Sequence, residues 1–154
     1  MELRALLKRL VAESMSRLDA TRVTLDLDLP DRPVTCVRAD EVLLERLFQN
    51  LLEVFIADLA PGGRVAIRVR GGSVAEVRLR RAGASARPAR DFAELLRRLV
   101  RPFADPRPDA ASIRLPLGLR ICQQVIEAHA GTLAIEEPAE GPSCLVVRVP
   151  AASL

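Results

Sequence analysis

The chain has 154 residues, of which 49% are hydrophobic, and this indicates one packed domain rather than a disordered chain. Trp and Tyr are absent and there are only 4 Phe, so the core must consist mainly of aliphatic side chains. A net charge of +3, from 23 basic and 20 acidic residues, is too small to indicate nucleic-acid binding by itself. There is no secretory signal and no apolar run long enough to span a bilayer, so we expect a cytoplasmic protein without a membrane segment.

The predicted helices follow from hydrophobic spacing. The longest begins after Asp40, a good N-cap, and ends before Pro61-Gly62-Gly63. Its apolar residues recur at helical spacing and form one wide face. Similar patterns predict helices over residues 2–18, 91–100 and 117–128. Residues 101–116 carry four prolines, and we expect them to form an extended, mobile segment.

The predicted strands come from alternation of apolar and polar residues over 22–29, 34–38, 64–70, 73–81, 132–137 and 144–149. Gly71-Gly72 lies between two of these runs and predicts a hairpin, because both glycines can adopt positive φ. In the first strand of that hairpin Val65, Ile67 and Val69 are expected to face the core, and the intervening arginines to face water.

The order of these elements predicts an α/β fold. We expect a two-layer α/β sandwich with a mixed, largely antiparallel sheet covered on one face by helices. Residues 1–150 are expected to form this single domain, and residues 151–154 a frayed tail.

The cysteines and the single histidine give little support to a metal site or to nucleophilic catalysis. Cys36, Cys122 and Cys144 are far apart, and because no CxxC pair exists we expect no zinc site and three free thiols in a reducing compartment. His129 precedes the helix-ending Gly131, which is typical of a capping or packing residue. Paired carboxylates for acid–base catalysis, a catalytic triad and a P-loop are also absent.

The long helix and the turn after it resemble the N box of the histidine-kinase ATP-binding domain, which is shared with gyrase and Hsp90 and has the Bergerat ATPase fold. Asn50-Leu51-Leu52 and the Pro-Gly-Gly turn match that pattern. The second Asn of the family, which holds magnesium, falls on Val54, and the family Lys falls on Ala57. Because magnesium binds almost only oxygen ligands, the resemblance implies that the metal chemistry is lost.

Two further boxes of that family also have altered counterparts. The Asp that binds the adenine amino group falls on Arg81, which can only donate hydrogen bonds, and Gly83 and Ser85 stand at the two glycine positions that follow. A tight turn after a strand explains Gly83 equally well. In the phosphate-binding loop Pro116 replaces a glycine and Gly118 remains. Proline offers no N–H but suits the first turn of a helix.

The resemblance covers residues 2–150 and is most specific at residues 49–52 and 121–132. Either Phe92 or Phe103 can take the place of the family Phe before the ATP lid. The phosphorylated histidine of the family lies in a separate dimerisation domain, which this chain lacks, so His129 is not its counterpart.

Several arginines are clustered near the end of the hairpin and in the loop after it, and this cluster can be interpreted in two ways. They form either a solvated face or a patch for an anion or an acidic partner. No aromatic residues are interleaved with them, so single-stranded nucleic acid fits poorly. The set consists of Arg78, Arg80, Arg81, Arg87 and Arg90.

The sequence therefore favours a non-catalytic, pseudokinase-like ATPase domain that acts in two-component signalling and needs no cofactor. Its expected partner is a histidine-phosphotransfer or dimerisation domain or a response regulator, with Arg107 and Arg114 as candidate contacts. The alternative is a functional catalytic domain that binds ATP and magnesium and phosphorylates a histidine on a separate domain. Nucleic-acid binding is a third class with little support beyond the number of arginines.

Overall fold

A computed structural model describes residues 2–18, 22–29, 36–83, 89–104, 115–138 and 142–152. These parts of the chain contain four helices and five strands. They are α1 (Leu3–Leu18), β1 (Thr24–Asp28), α2 (Glu41–Ala57), β2 (Arg64–Arg70), β3 (Val74–Ala82), α3 (Ala89–Ala104), α4 (Leu117–Ala128), β4 (Thr132–Glu136) and β5 (Cys144–Pro150).

The five strands form one sheet in the order β1-β2-β3-β5-β4. Strands β1 and β2 are parallel, and the other three neighbouring pairs are antiparallel. The predicted mixed, largely antiparallel sheet is thus confirmed. The predicted hairpin is also present, with Arg70 opposite Glu76 where β2 passes into β3.

One face of the sheet forms the core together with the helices. Val65, Ile67 and Val69 are buried as predicted, and the side chains of Arg64 and Arg68 are more than half exposed on the opposite face. The helices contribute mainly leucine to the same core. The largest fully buried side chains include Phe48, Phe55, Leu3, Leu6, Leu7, Leu10, Leu44, Leu47, Leu51 and Leu96.

Helix α2 lies at the centre of this layer. The Asp40 carboxylate accepts a hydrogen bond from the backbone N–H of Leu43 at 3.2 Å, which satisfies one of the free donors of the first turn. Six side chains of the helix are buried, and five of them belong to the predicted apolar face. The sixth is Phe48, while Leu43, which was also expected on that face, is exposed. The chain then turns through Gly62, whose φ of +91° suits glycine.

Three predicted boundaries were wrong. Of the strand expected at 34–38, the described part is only two isolated bridges, from Cys36 to Glu2 and from Val37 to Ala151. Helix α3 is longer than expected: it begins in the predicted loop and continues through Pro102, because Phe103 beyond the proline still packs against the core. The rest of the predicted mobile segment, residues 105–114, lies outside the described residues.

The expected frayed tail is also corrected in part. The backbone N–H of Ala151 donates to Ser73 O at 3.1 Å, and that of Ala152 donates to Cys36 O at 2.7 Å. These bonds hold the two residues beyond β5, and residues 153 and 154 lie outside the described part. No described helix has the length and apolar character needed to cross a membrane.

Candidate functional site

Asn50 and Gly118, two of the predicted site residues, are brought together where α2 packs on α4. The Asn50 side-chain amide donates to Gly118 O at 3.2 Å in a partly buried position. A Cβ on residue 118 would lie 3.4 Å from Asn50 Oδ1, which is an ordinary van der Waals contact. The Asn50 amide therefore ties the middle of α2 to the first turn of α4.

The position of the missing metal ligand is apolar. Val54 is partly buried and packs against the core, while Ala57, one turn further along α2, is exposed. Neither side chain carries an oxygen for a hard cation. Within the described ranges, no group of three His, Cys, Asp or Glu residues is arranged to hold a metal ion.

Arg81 points into the core. It follows Val77 and Leu79 at the same parity of β3, and it is only 6% exposed. Its Nη1 atom lies 3.5 Å from Asp58 O and 3.8 Å from Asp58 Oδ2. Its Cζ atom lies 3.9 Å from the centroid of the Phe92 ring, which is a cation–π distance. The guanidinium thus lies between a buried carboxylate and an aromatic face.

Gly83 is required by chain packing. Its φ is +76°, which suits glycine. A Cβ at this position would lie 2.7 Å from Gly62 O, which is closer than two such atoms can approach without a shift of the backbone. The turn after β3 therefore rests directly on the turn after α2, which agrees with the structural reading of Gly83. Ser85, the next predicted position of this box, lies outside the described residues.

Pro116 stands immediately before α4 and its carbonyl accepts hydrogen bonds from Leu119 N and Arg120 N at 3.0 and 3.1 Å. The helix therefore forms as expected without the missing glycine. The helix predicted over 117–128 is confirmed, and its buried face consists of Leu119, Cys122, Val125 and Ile126. The candidate partner contacts Arg107 and Arg114 lie outside the described residues.

The comparisons with known proteins identify the family. The family described as histidine kinase-, DNA gyrase B- and HSP90-like ATPase matches residues 39–153. The chain belongs to this family. Among curated proteins none matches the sequence significantly.

Solved structures of histidine kinases share the fold of this ATPase-family chain. The catalytic domain of histidine kinase ThkA has 19% identity and a TM-score of 0.71, with 98% of this chain and 94% of that chain covered. A mycobacterial sensor histidine kinase, MprB, has 21% identity and a TM-score of 0.68, with coverage of 100% and 97%. Full-length ShkA in complex with AMPPNP has 16% identity and a TM-score of 0.71, with coverage of 100% and 31%.

His129 has the capping role predicted for it in this ATPase-like domain. Its Nε2 atom accepts a hydrogen bond from Asp40 N at 3.0 Å, which requires that Nε2 be unprotonated. The proton is then on Nδ1, which donates to Val125 O at 2.7 Å. The imidazole thus joins the end of α4 to the start of α2.

The predicted arginine cluster is divided between the two faces of the sheet. Arg80 and Arg81 are consecutive in β3, so Arg80 is exposed on the outer face while Arg81 is buried. Arg78, also on the outer face, bonds Glu76 Oε1 at 2.6 Å and Glu136 Oε1 at 3.0 Å. The hydrogen bonds that Arg78 donates to Glu136 and, second, to Glu76 raise the pKa of Arg78. Arg78 is thus paired with two carboxylates of its own chain, which favours the interpretation as a surface without an acidic partner. Arg87 and the side chain of Arg90 lie outside the described residues.

Sequence reasoning missed the pairing of Arg81 with Asp58. The alternation in β3 could have indicated it, because Val77 and Leu79 face inward and Arg81 has the same parity. The carboxylate that receives Arg81 lies 23 residues earlier in the chain, and no local pattern connects the two.

Proposed function

We propose that this chain is a non-catalytic histidine-kinase ATPase-like domain, which acts in two-component signalling in the cytoplasm through protein contacts and does not bind ATP. The observation that carries the proposal is Arg81. The family that this chain resembles has an Asp at the equivalent position, and the carboxylate of that Asp accepts a hydrogen bond from the adenine amino group. Here it holds a buried guanidinium that faces Asp58 and the Phe92 ring.

The burial of Arg81 makes this replacement difficult to reverse. The guanidinium has only donors, so it cannot accept from an adenine amino group. Turning it out of the core would leave Asp58, which is 1% exposed, as a buried charge without this neighbour. Because breaking a buried ion pair is destabilising, a nucleotide would have to overcome this cost in order to displace Arg81.

The remaining altered positions support the same proposal. Val54 supplies no metal ligand, and Pro116 supplies no backbone N–H to a phosphate group. Asn50, which does match the family, already donates its amide to Gly118 O. Each change removes a different group of contacts that a magnesium–nucleotide complex would need.

The alternative function is an ATP-binding catalytic domain that phosphorylates a histidine on a separate domain, with ATP and magnesium as cofactors. It is favoured by the preserved fold, by Asn50 in its expected place and by the similarity to ShkA, whose structure contains AMPPNP.

The two functions predict different results in a direct phosphorylation assay. The chain is incubated with labelled ATP, magnesium and a purified dimerisation domain from the same organism, and an active sensor-kinase catalytic domain is the positive control.

We expect no labelled phosphohistidine above the level without the chain. Labelled phosphohistidine that depends on this chain and on magnesium would establish the catalytic alternative and refute the proposal.

The proposed partner is a histidine-phosphotransfer or dimerisation domain or a response regulator. Arg107 and Arg114 are the proposed contacts, because such charges mainly set the rate and specificity of encounter with acidic surfaces. Replacing both by Glu should weaken binding to a purified partner, measured by biolayer interferometry. The double variant Arg38→Glu with Arg70→Glu, at two exposed sites, is the control with the same change of charge. Equal binding by both variants, with circular dichroism unchanged, would place the contact elsewhere.

A further inference from the structure

Two of the three buried polar or charged residues in the described part of the chain contact each other. They are Asp58, which is 1% exposed, and Arg81, which is 6% exposed; the third is Ser14. Charged side chains are rarely buried to this degree unless they are paired. The surroundings of the Arg81 guanidinium therefore form a site with a defined chemistry.

The walls of this site come from separate parts of the fold. Asp58 follows the end of α2 and offers its carboxylate and its backbone carbonyl. Phe92, in the first turns of α3, offers the face of its ring, and the Phe55 ring meets it edge-on at 4.9 Å and 79°. A carboxylate beside an aromatic face attracts a planar cation, because the carboxylate accepts its hydrogen bonds and the ring attracts its charge.

The two contacts of Arg81 Nη1 with Asp58 are long. Its Nη1 atom is 3.8 Å from Asp58 Oδ2 and 3.5 Å from Asp58 O, whereas tight charge-assisted hydrogen bonds measure about 2.7–2.9 Å. Asp58 and Phe92 thus supply a carboxylate contact and an aromatic contact to the guanidinium.

We propose that Asp58 and Phe92 form a binding compartment for planar cations of the guanidinium and amidinium class, which Arg81 occupies from within the chain. Arg81 is then an internal ligand, and its removal exposes a site selective for charge as well as shape. This proposal depends on the contacts of Arg81 with Asp58 and Phe92 and not on the absence of ATP binding. An experiment can therefore refute the binding compartment without refuting the proposed function, and the reverse.

The first test is chemical rescue of Arg81→Ala. Melting temperatures are measured in tens of millimolar guanidinium chloride, with equal sodium chloride and equal urea as references; urea is neutral but has nearly the same planar shape. We expect guanidinium to raise the melting temperature of Arg81→Ala above both references and to leave the matched variant Arg80→Ala without such a rise. The added replacement Asp58→Asn should abolish the effect. No rise with guanidinium, or an equal rise with urea, would overturn the proposal.

A second measurement on the unaltered protein is informative even if Arg81→Ala does not fold. With the guanidinium 3.9 Å above the Phe92 ring, the Nε–H proton of Arg81 should show an upfield ring-current shift in a ¹⁵N-resolved NMR spectrum. It should also exchange with water at least tenfold more slowly than that of exposed Arg80. An Arg81 signal with the shift and exchange rate of Arg80 would contradict occupancy of the compartment.

Discussion

Replacement of Gly83 by Ala tests whether this glycine is kept for packing of the chain. At φ +76° an alanine is strained, and a single non-glycine residue in the left-handed region costs about 1–2 kcal/mol. The new Cβ would also lie 2.7 Å from Gly62 O and 3.4 Å from Gly63 Cα, both of which are backbone atoms. Because backbone cannot rotate away as a flexible side chain can, we expect a further cost of about 1–3 kcal/mol, typical of overpacking.

The matched control is Gly62→Ala. Gly62 has a φ of +91°, but a Cβ there would meet no atom within 4 Å, so this variant isolates the backbone strain. In urea denaturation we expect Gly83→Ala to be the less stable of the two by about 1–3 kcal/mol, which is the cost of the contact. Equal stability of the two variants would show that the turn after β3 does not rest on Gly62 and would refute this role of Gly83.

Three further predictions concern single side chains. Val54→Asn should lose about 1 kcal/mol of stability in urea denaturation, because an amide replaces a partly buried apolar side chain, and calorimetry should show no gain of ATP affinity. His129→Ala should cost about 1 kcal/mol through loss of its two hydrogen bonds, whereas Gln124→Ala, exposed on the same helix, should be neutral. Burial raises the pKa of Glu76, but hydrogen bonds and charges from arginines outweigh this and hold the pKa below its ordinary 4.5. The stabilisation by Glu76 is therefore present above pH 4.5 and lost as the pH falls through the lowered pKa, so Glu76→Gln should show a shallower loss of melting temperature below pH 4.5. If the melting temperature of Glu76→Gln fell as steeply below pH 4.5 as that of the unaltered protein, the stabilising role of the Glu76 carboxylate would be contradicted.

The parts of the fold that were predicted correctly have local signals. Asp40 marks the start of α2 and the Pro-Gly-Gly turn predicts an end near residue 59; the helix spans Glu41–Ala57, so both ends agree within two residues. The alternation of β2 correctly assigned its buried and exposed faces, because side-chain direction has a period of two in any strand.

The errors occurred where distant contacts outweigh local preference. Pro102 was expected to keep its segment out of a helix, but the packing of Phe103 against the core extends α3 past it. Ala151 was expected to fray, but the backbone of Ser73, far away in sequence, accepts its hydrogen bond. In the candidate site, Arg81 was correctly singled out as an altered position. Its burial against Asp58 was not foreseen, since charge alone favours exposure.

The central claim is that the chain has the fold of the ATPase family without its ligand, and a thermal-shift titration with ATP and magnesium tests it most directly. A ligand at one hundred times its dissociation constant adds about 2.7 kcal/mol to stability. For a chain of this size that corresponds to a rise of about 5–11 °C in melting temperature. We predict that ATP with magnesium raises the melting temperature of this chain no more than magnesium alone does. An active sensor-kinase catalytic domain should show the full rise under the same conditions. A saturable rise of several degrees that requires both ATP and magnesium would contradict the account.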